Sequence, residues 1–125
     1  MHIRVYYEDT DCGNVVYYAN YLKYMERGRT ELMRDKGVSF AHLHSDGILF
    51  VVSEVAIKYH ASAHYDDLLT VDTVIKEKTA ASISFTTTIK NETGELLVTG
   101  NVKVVCVGRD GKILRMPKYV AECLG

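Results

Sequence analysis

The chain has 125 residues, a size at which one domain built on one hydrophobic core, spanning residues 1–125, is the expected organisation. Its 15 basic and 16 acidic residues are interspersed and leave a formal net charge of −1. Such a balance provides no field to attract nucleic acid or an anionic membrane surface, so a small ligand or another protein is the expected partner.

The cysteines and the first residues predict a cytoplasmic protein. Cys12, Cys106 and Cys123 are odd in number and form no C-x-x-C pair, which argues against a disulfide framework and against a zinc knuckle. The N-terminus runs straight into a predicted strand without the apolar stretch of a signal peptide, and no segment reaches transmembrane length. We therefore expect a reducing cytoplasm and no integral membrane segment.

The first third of the chain predicts a strand, a loop and one long helix. Residues 3–8 read as the strand and residues 9–16 as the loop, after which apolar residues recur at helical spacing, at Tyr17, Tyr21, Tyr24, Gly28 and Leu32. Gly37 is the expected helix stop. Glycine inside a helix costs about 1 kcal/mol relative to alanine, so we expect the sheet to pack closely against Gly28.

Four further strands are predicted from period-two alternation, over residues 50–60, 68–78, 82–90 and 96–107. The connections between them are short, which favours an antiparallel meander. Asp110 and Gly111 predict a tight hairpin turn, and Pro117 fits the first turn of a short helix that ends near Leu124. The order β-α-β-β-β-β, with one long helix on one antiparallel sheet, indicates the α+β class.

The junction between the loop and the long helix is the candidate site. It carries two carboxylates, Asp9 and Asp11, and a turn at Gly13. A helix start offers unpaired N–H groups and a partial positive charge, so a carbonyl oxygen placed there is polarised while a nearby carboxylate handles water. Acyl transfer needs both parts. From the residues alone, an aspartate at this place also fits a simple turn or capping role.

The residues around this junction resemble the signature of the 4-hydroxybenzoyl-CoA thioesterase family, and within it the Tol-Pal-associated YbgC-type acyl-CoA thioesterases. The resemblance is carried by residues 4–11, RVYYEDTD, and by residues 21–29, YLKYMERGR. It implies a hotdog fold, in which an antiparallel sheet wraps one long central helix. It also implies hydrolysis of an acyl-CoA thioester with no metal and no cofactor.

The resemblance assigns roles by position. The essential acid, two residues before the loop glycine, is Asp11, which either attacks the thioester carbonyl or activates water as a general base. The polarising position is Tyr18, through its backbone N–H; many YbgC-type members have histidine there. Tyr17 falls at the core spacing, and together with Gly13 it is the expected substrate contact. Asp9 is assigned to loop structure, since its two-residue offset directs it away from Asp11.

Three rival readings remain open. Cys12 near a helix start is a possible nucleophile, although no histidine is placed by a recognisable cysteine-hydrolase pattern. Glu26 and Arg29 are expected to form an ion pair, with Glu26 as a reserve acid because another hotdog subclass uses a helix glutamate. Four histidines stand in pairs, but no third ligand has convincing spacing, so no metal site is expected, at His42, His44, His60 and His64.

The expected activity is therefore hydrolysis of a short-chain or compact aromatic acyl-CoA to the free acid and CoA, because tyrosines crowd the helix start. The alternative is a non-hydrolytic module that binds acyl thioesters or an acyl carrier protein on the same fold. A hydroxyacyl dehydratase would want a histidine where Tyr18 stands. A homodimer or homotetramer is expected, since a single hotdog sheet leaves an open edge.

Overall fold

The computed structural model describes residues 1–125 and contains one antiparallel sheet of five strands with the spatial order β1-β3-β4-β5-β2. The elements follow the chain as β1 (His2–Arg4), α1 (Asn20–Asp35), α2 (Phe40–Ser45), β2 (Ile48–Tyr59), β3 (Leu68–Lys78), β4 (Ser82–Lys90), β5 (Leu96–Gly108) and α3 (Lys118–Leu124). A single 3₁₀ turn, Tyr7–Asp9, lies between β1 and α1. The α+β class predicted from the sequence is confirmed.

The sheet topology differs from the predicted meander at one strand. Strands β3, β4 and β5 pair in sequence order, whereas β2 pairs with β5 at the far edge and β1 takes the edge beside β3. The connection from β2 to β3 therefore crosses the sheet, and backbone pairing with the loop before α1 keeps this connection in position. Val16 N–H donates to the Ala63 carbonyl at 2.9 Å, and Val15 forms an isolated bridge with His64. This crossing places the end of β2 beside the candidate loop.

Helix α1 packs its apolar face on the inner face of the sheet, as predicted. Its buried residues are Tyr21, Tyr24, Met25, Gly28 and Met33. A Cβ added at Gly28 would lie 2.6 Å from Thr73 Oγ1 and 3.0 Å from Val71 Cγ1, both on β3. The predicted close approach of the sheet to Gly28 is confirmed, and the glycine is required by packing rather than by backbone conformation.

The helix begins later than predicted, at Asn20 instead of Tyr17. Tyr17 N–H donates to the Asp9 carbonyl at 2.9 Å, and Thr10 forms an isolated bridge with Val16. The backbone therefore forms β-type hydrogen bonds as far as Tyr17, so the helical hydrogen bonds begin only after this residue. The helix ends as predicted, with Gly37 at φ +94°.

The first strand is also shorter than predicted, because residues 7–9 turn into the 3₁₀ helix instead of continuing extended. The short helix α2 was not predicted. It begins where Ser39 Oγ accepts the N–H of His42 at 3.2 Å, which caps one of the free donors of the first turn. The tight turn at Gly111, with φ +80°, and the terminal helix after Pro117 were both predicted and are present.

Strand β2 does not keep one face inward along its length. A register irregularity between Val52 and Glu54 works as a β-bulge, so Phe50 before it and Ile57 after it both pack on the core although their positions differ in parity. The inward face therefore changes from even-numbered to odd-numbered residues at the bulge. The bounds of β3 and β4 match the prediction, and β5 is one residue longer.

Candidate active site

Asp11 lies in a tight loop that holds its carboxylate by one oxygen. Gly13 N–H donates to Asp11 Oδ1 at 2.8 Å, while Asp11 N–H donates to the Val15 carbonyl at 2.9 Å. Asn14 adopts a left-handed conformation, with φ 63°, which closes the loop. A Cβ at Gly13 would stand 3.1 Å from Asp11 Oδ1, so a side chain there would crowd the carboxylate. Asp11 Oδ2 has no hydrogen-bond partner in the chain, and the side chain is exposed.

Tyr18 lies in a turn that precedes α1, not in its first turn. Asn20 N–H donates to the Tyr17 carbonyl at 2.8 Å and closes this turn. The backbone N–H of Tyr18 makes no hydrogen bond to any group of the chain. The N–H that was expected to polarise the carbonyl is therefore free of hydrogen bonds within the chain and lies two residues ahead of the helix.

A cleft of about 330 Å³ brings Asp11 and Tyr18 together. It also includes residues from the end of β2 and from the crossing segment, which no sequence pattern predicted to lie there. The complete lining is Asp11, Val15, Val16, Tyr18, Tyr21, Tyr59, His60, Ala61 and Ser62. The cleft is mainly apolar with one carboxylate, a combination typical of small-molecule sites.

Tyr59 is the residue that sequence reasoning missed most clearly. Its hydroxyl donates to the Tyr18 carbonyl at 3.1 Å, and its ring meets the Tyr18 ring edge-on with centroids 6.4 Å apart. The Tyr21 ring also packs against Tyr59, with their centroids 5.7 Å apart. Only the pairing of β2 with β5 and the crossing connection bring Tyr59 to this place, so no local pattern could have indicated it.

Tyr17 is not a core residue, contrary to the spacing argument, because the helix has not yet begun. Its side chain is 44% exposed and its ring lies 4.8 Å from the Tyr18 ring. The Tyr18 hydroxyl is the main reason that the pKa of Tyr17 is raised, and the negative charge of Asp11 contributes least. Tyr17 and Gly13 lie outside the cleft lining. Tyr17 directly precedes Tyr18, and Gly13 is hydrogen-bonded to the Asp11 carboxylate.

The rival side chains do not assemble into a second site around the loop. Cys12 is exposed and is absent from the cleft lining. Glu26 and Arg29 do not form the predicted ion pair; burial lowers the pKa of Arg29, and the charge of Glu26 opposes this. Both residues instead line a separate cavity of about 400 Å³ between α1, α2 and β2. No three His, Cys, Asp or Glu side chains come together as a metal-binding group.

The profile described as the thioesterase superfamily, 4HBT, matches residues 13–98, which is more than half of the chain. The chain belongs to this superfamily. The matched span begins at Gly13, so Asp9 and Asp11 stand immediately before it.

Individual members of the superfamily show how close the similarity is. The chain is 43% identical over 105 residues to the acyl-CoA thioester hydrolase YbgC of Escherichia coli O6:H1, covering 84% of this chain and 78% of that protein. It is 44% identical over 108 residues to the acyl-CoA thioesterase YbgC of Haemophilus influenzae, covering 84% and 77%. These relatives confirm the resemblance to the YbgC-type thioesterases.

Solved structures agree with the fold. A probable thioesterase from Bartonella henselae superimposes with a TM-score of 0.89 at 36% identity, over 94% of this chain and 97% of that one. The hotdog fold predicted for this superfamily member is thereby confirmed. No helix of the present chain is both long enough and apolar enough to cross a membrane.

Proposed function

We propose that the protein hydrolyses acyl-CoA thioesters to a carboxylic acid and free CoA. The observation that carries the proposal is that Asp11 and Tyr18 line one cleft, and that the backbone N–H of Tyr18 has no hydrogen-bond acceptor within the chain. The YbgC relatives, which are acyl-CoA thioester hydrolases, support the choice of substrate class.

The two groups have separate roles in this reaction. The Tyr18 N–H binds the thioester oxygen and stabilises the negative charge that develops on it. In one route Asp11 removes a proton from water, the water oxygen attacks the carbonyl, and the CoA thiolate leaves and takes up the proton. In the other route Asp11 attacks directly, CoA leaves, and water then hydrolyses the mixed anhydride. After a single turnover in H₂¹⁸O, ¹⁸O in Asp11 would establish the anhydride route with water attacking the Asp11 carbonyl carbon, since general-base hydrolysis places ¹⁸O only in the product acid.

The decisive variant is Asp11→Asn. The asparagine oxygen still accepts the Gly13 N–H, so the loop keeps its geometry while the base and the nucleophile are lost. We expect kcat to fall by about 10²-fold or more, equivalent to about 2.7 kcal/mol of transition-state stabilisation. Asp72→Asn, at an exposed position on β3, is the matched control and should leave kcat unchanged. Near-normal turnover by a folded Asp11→Asn enzyme would refute the assignment.

We further propose that the acyl group is short or a compact aromatic ring. Tyr18, Tyr21 and Tyr59 wall the cleft, and their mutual ring contacts leave little room for a long chain. Thiol release from acetyl-, butyryl-, benzoyl-, decanoyl- and palmitoyl-CoA tests this through kcat/KM. A steady rise to palmitoyl-CoA would contradict it, and no release from any acyl-CoA would favour the non-hydrolytic binding module instead.

The active form is proposed to be a homodimer, which can pair again into a tetramer. Strand β2 is an edge strand of 12 residues, and its outer edge has no partner strand. It exposes large apolar side chains at Val51, Val52, Val55 and Tyr59. A long apolar edge strand is normally covered by pairing with another strand. Because Tyr59 belongs both to this edge strand and to the cleft lining, a partner strand paired with β2 would border the site.

The thiol carrier is proposed to be CoA, with an acyl carrier protein as the competing carrier to be tested beside it. The three cysteines are all unpaired, which supports a reducing cytoplasm as the location.

A further inference from the structure

Asp9 sits at the centre of the hydrogen bonds that hold the candidate loop against α1. Its backbone carbonyl accepts two of them, from Tyr17 N–H at 2.9 Å and from Asn20 Nδ2 at 2.8 Å. Its carboxylate Oδ2 accepts a third, from Tyr6 N–H at 2.8 Å, and its own N–H donates to the Tyr6 carbonyl at 3.0 Å. One residue thus joins the 3₁₀ turn, the loop and the helix start.

These bonds lie immediately next to both reactive groups. Only Thr10 separates Asp9 from Asp11, and Tyr17, which donates to the Asp9 carbonyl, directly precedes Tyr18. A rotation of the Asp9 peptide would therefore shift the Asp11 carboxylate and the Tyr18 N–H relative to each other. Reactions that need two groups placed together are sensitive to such shifts, and a displacement of about 1 Å can cost about 10²-fold in rate.

The Asp9 carboxylate itself lies away from the cleft. Asp9 is absent from the cleft lining. The hydroxyl of Tyr24 on α1 is buried without a hydrogen-bond partner, and it is near enough to Asp9 to be influenced by that carboxylate. Burial raises the pKa of Tyr24, and the negative charge of Asp9 adds to the rise. The Asp9 side chain therefore holds the 3₁₀ turn through its hydrogen bond from Tyr6 N–H, without lining the cleft.

We propose that Asp9 is a positioning residue, which sets the distance between the Asp11 carboxylate and the Tyr18 N–H without contacting substrate. This inference rests on the proposed function, because it assigns those two groups to the reaction. It requires that the acceptor oxygen of residue 9 matters and that its negative charge does not. Of the two carboxylates in the loop, Asp11 takes part in the reaction, whereas Asp9 holds the loop in position.

The test compares Asp9→Asn with Asp9→Ala. Asparagine keeps an oxygen for Tyr6 N–H, so kcat should stay within about 3-fold of the parent and the pH–rate profile should be unchanged. Alanine loses the acceptor, so kcat should fall by about 10-fold or more while KM changes little. Asn20→Ala, which removes one donor to the Asp9 carbonyl, should lower kcat in the same way and is available if Asp9→Ala fails to fold.

Amide hydrogen exchange of Tyr17 provides a second readout that does not need activity. Protection should be retained in Asp9→Asn and lost in Asp9→Ala, where the Tyr6 anchor is gone. Full activity of Asp9→Ala would overturn the proposal. So would an Asp9→Asn enzyme that is folded, protected at Tyr17 and as inactive as Asp11→Asn, since Asp9 would then do chemistry. If the parent releases no thiol from any acyl-CoA, the proposed function fails, and the exchange data alone decide the positioning role.

Discussion

Replacing Gly28 by alanine sets helix propensity against packing. Alanine is favoured over glycine in a helix interior by about 1 kcal/mol. The new Cβ would lie 2.6 Å from Thr73 Oγ1 and 3.0 Å from Val71 Cγ1. Thr73 is β-branched and its hydroxyl is 3.2 Å from that of Thr87, so it does not swing aside freely. Overpacking of this kind costs about 1–3 kcal/mol, so we expect a net loss of up to about 2 kcal/mol.

Thermal unfolding measures this loss directly. For a chain of this size, 1 kcal/mol corresponds to roughly 4 °C, so the Tm of Gly28→Ala should fall by up to roughly 8 °C. Thr73→Ala removes the closest atom, and in a double-mutant cycle it should recover about 1 kcal/mol in the Gly28→Ala background. A Gly28→Ala protein with a raised Tm and no coupling to position 73 would refute the close helix–sheet contact.

Three further outcomes are expected. Val55→Lys should place like charges across the paired β2 edges and shift sedimentation toward monomer, with Val74→Lys, exposed on β3, as the control; an unchanged assembly would place the interface elsewhere. Cys12→Ala should keep most thioesterase activity, because the thiol is outside the cleft, and an inactive folded variant would move the chemistry to sulfur. Burial raises the pKa of Tyr24 above its ordinary value of 10.0, so its hydroxyl stays protonated in the folded chain while the unfolded chain ionises above pH 10. The free energy of unfolding should therefore fall as pH rises above 10, and Tyr24→Phe should reduce that fall and be neutral or stabilising at pH 7, as urea titrations would show.

Periodic patterns were sufficient for the elements whose environment is uniform along their length. Strand β4 was predicted at its observed bounds because Ile83, Phe85, Thr87 and Ile89 are all buried. The register irregularities beside it place the extra residue in β3 or β5, so the alternation of β4 itself is unbroken. In β2 the argument from alternation fails at the bulge, because one extra residue there reverses which parity of residue faces inward. The alternation of apolar and polar residues does not reveal a register shift, because the pattern is regular on each side of the shift.

The candidate site was predictable only where it is local in sequence. The loop with Asp11 and Tyr18 could be named from residues 9–18, but the exact helix start could not. It depends on pairing between Tyr17 and Asp9 and between Val16 and Ala63, the second of which joins distant segments. Tyr59 enters the cleft through sheet topology alone, which spacing along the chain does not encode.

The placement of β2 against β5 also determines when the site forms during synthesis. Ile48 pairs with Gly108, and no other strand flanks β2. Roughly 50 residues must be made after β2 before its partner exists, which takes several seconds at roughly 5–20 residues per second. Until then the apolar β2 and the segment that ends in Tyr59 have no ladder to join, although β3 and β4 can already pair. The nascent chain therefore carries β2 without a partner strand until most of the chain has been synthesised, and chaperone capture during that interval should centre on β2.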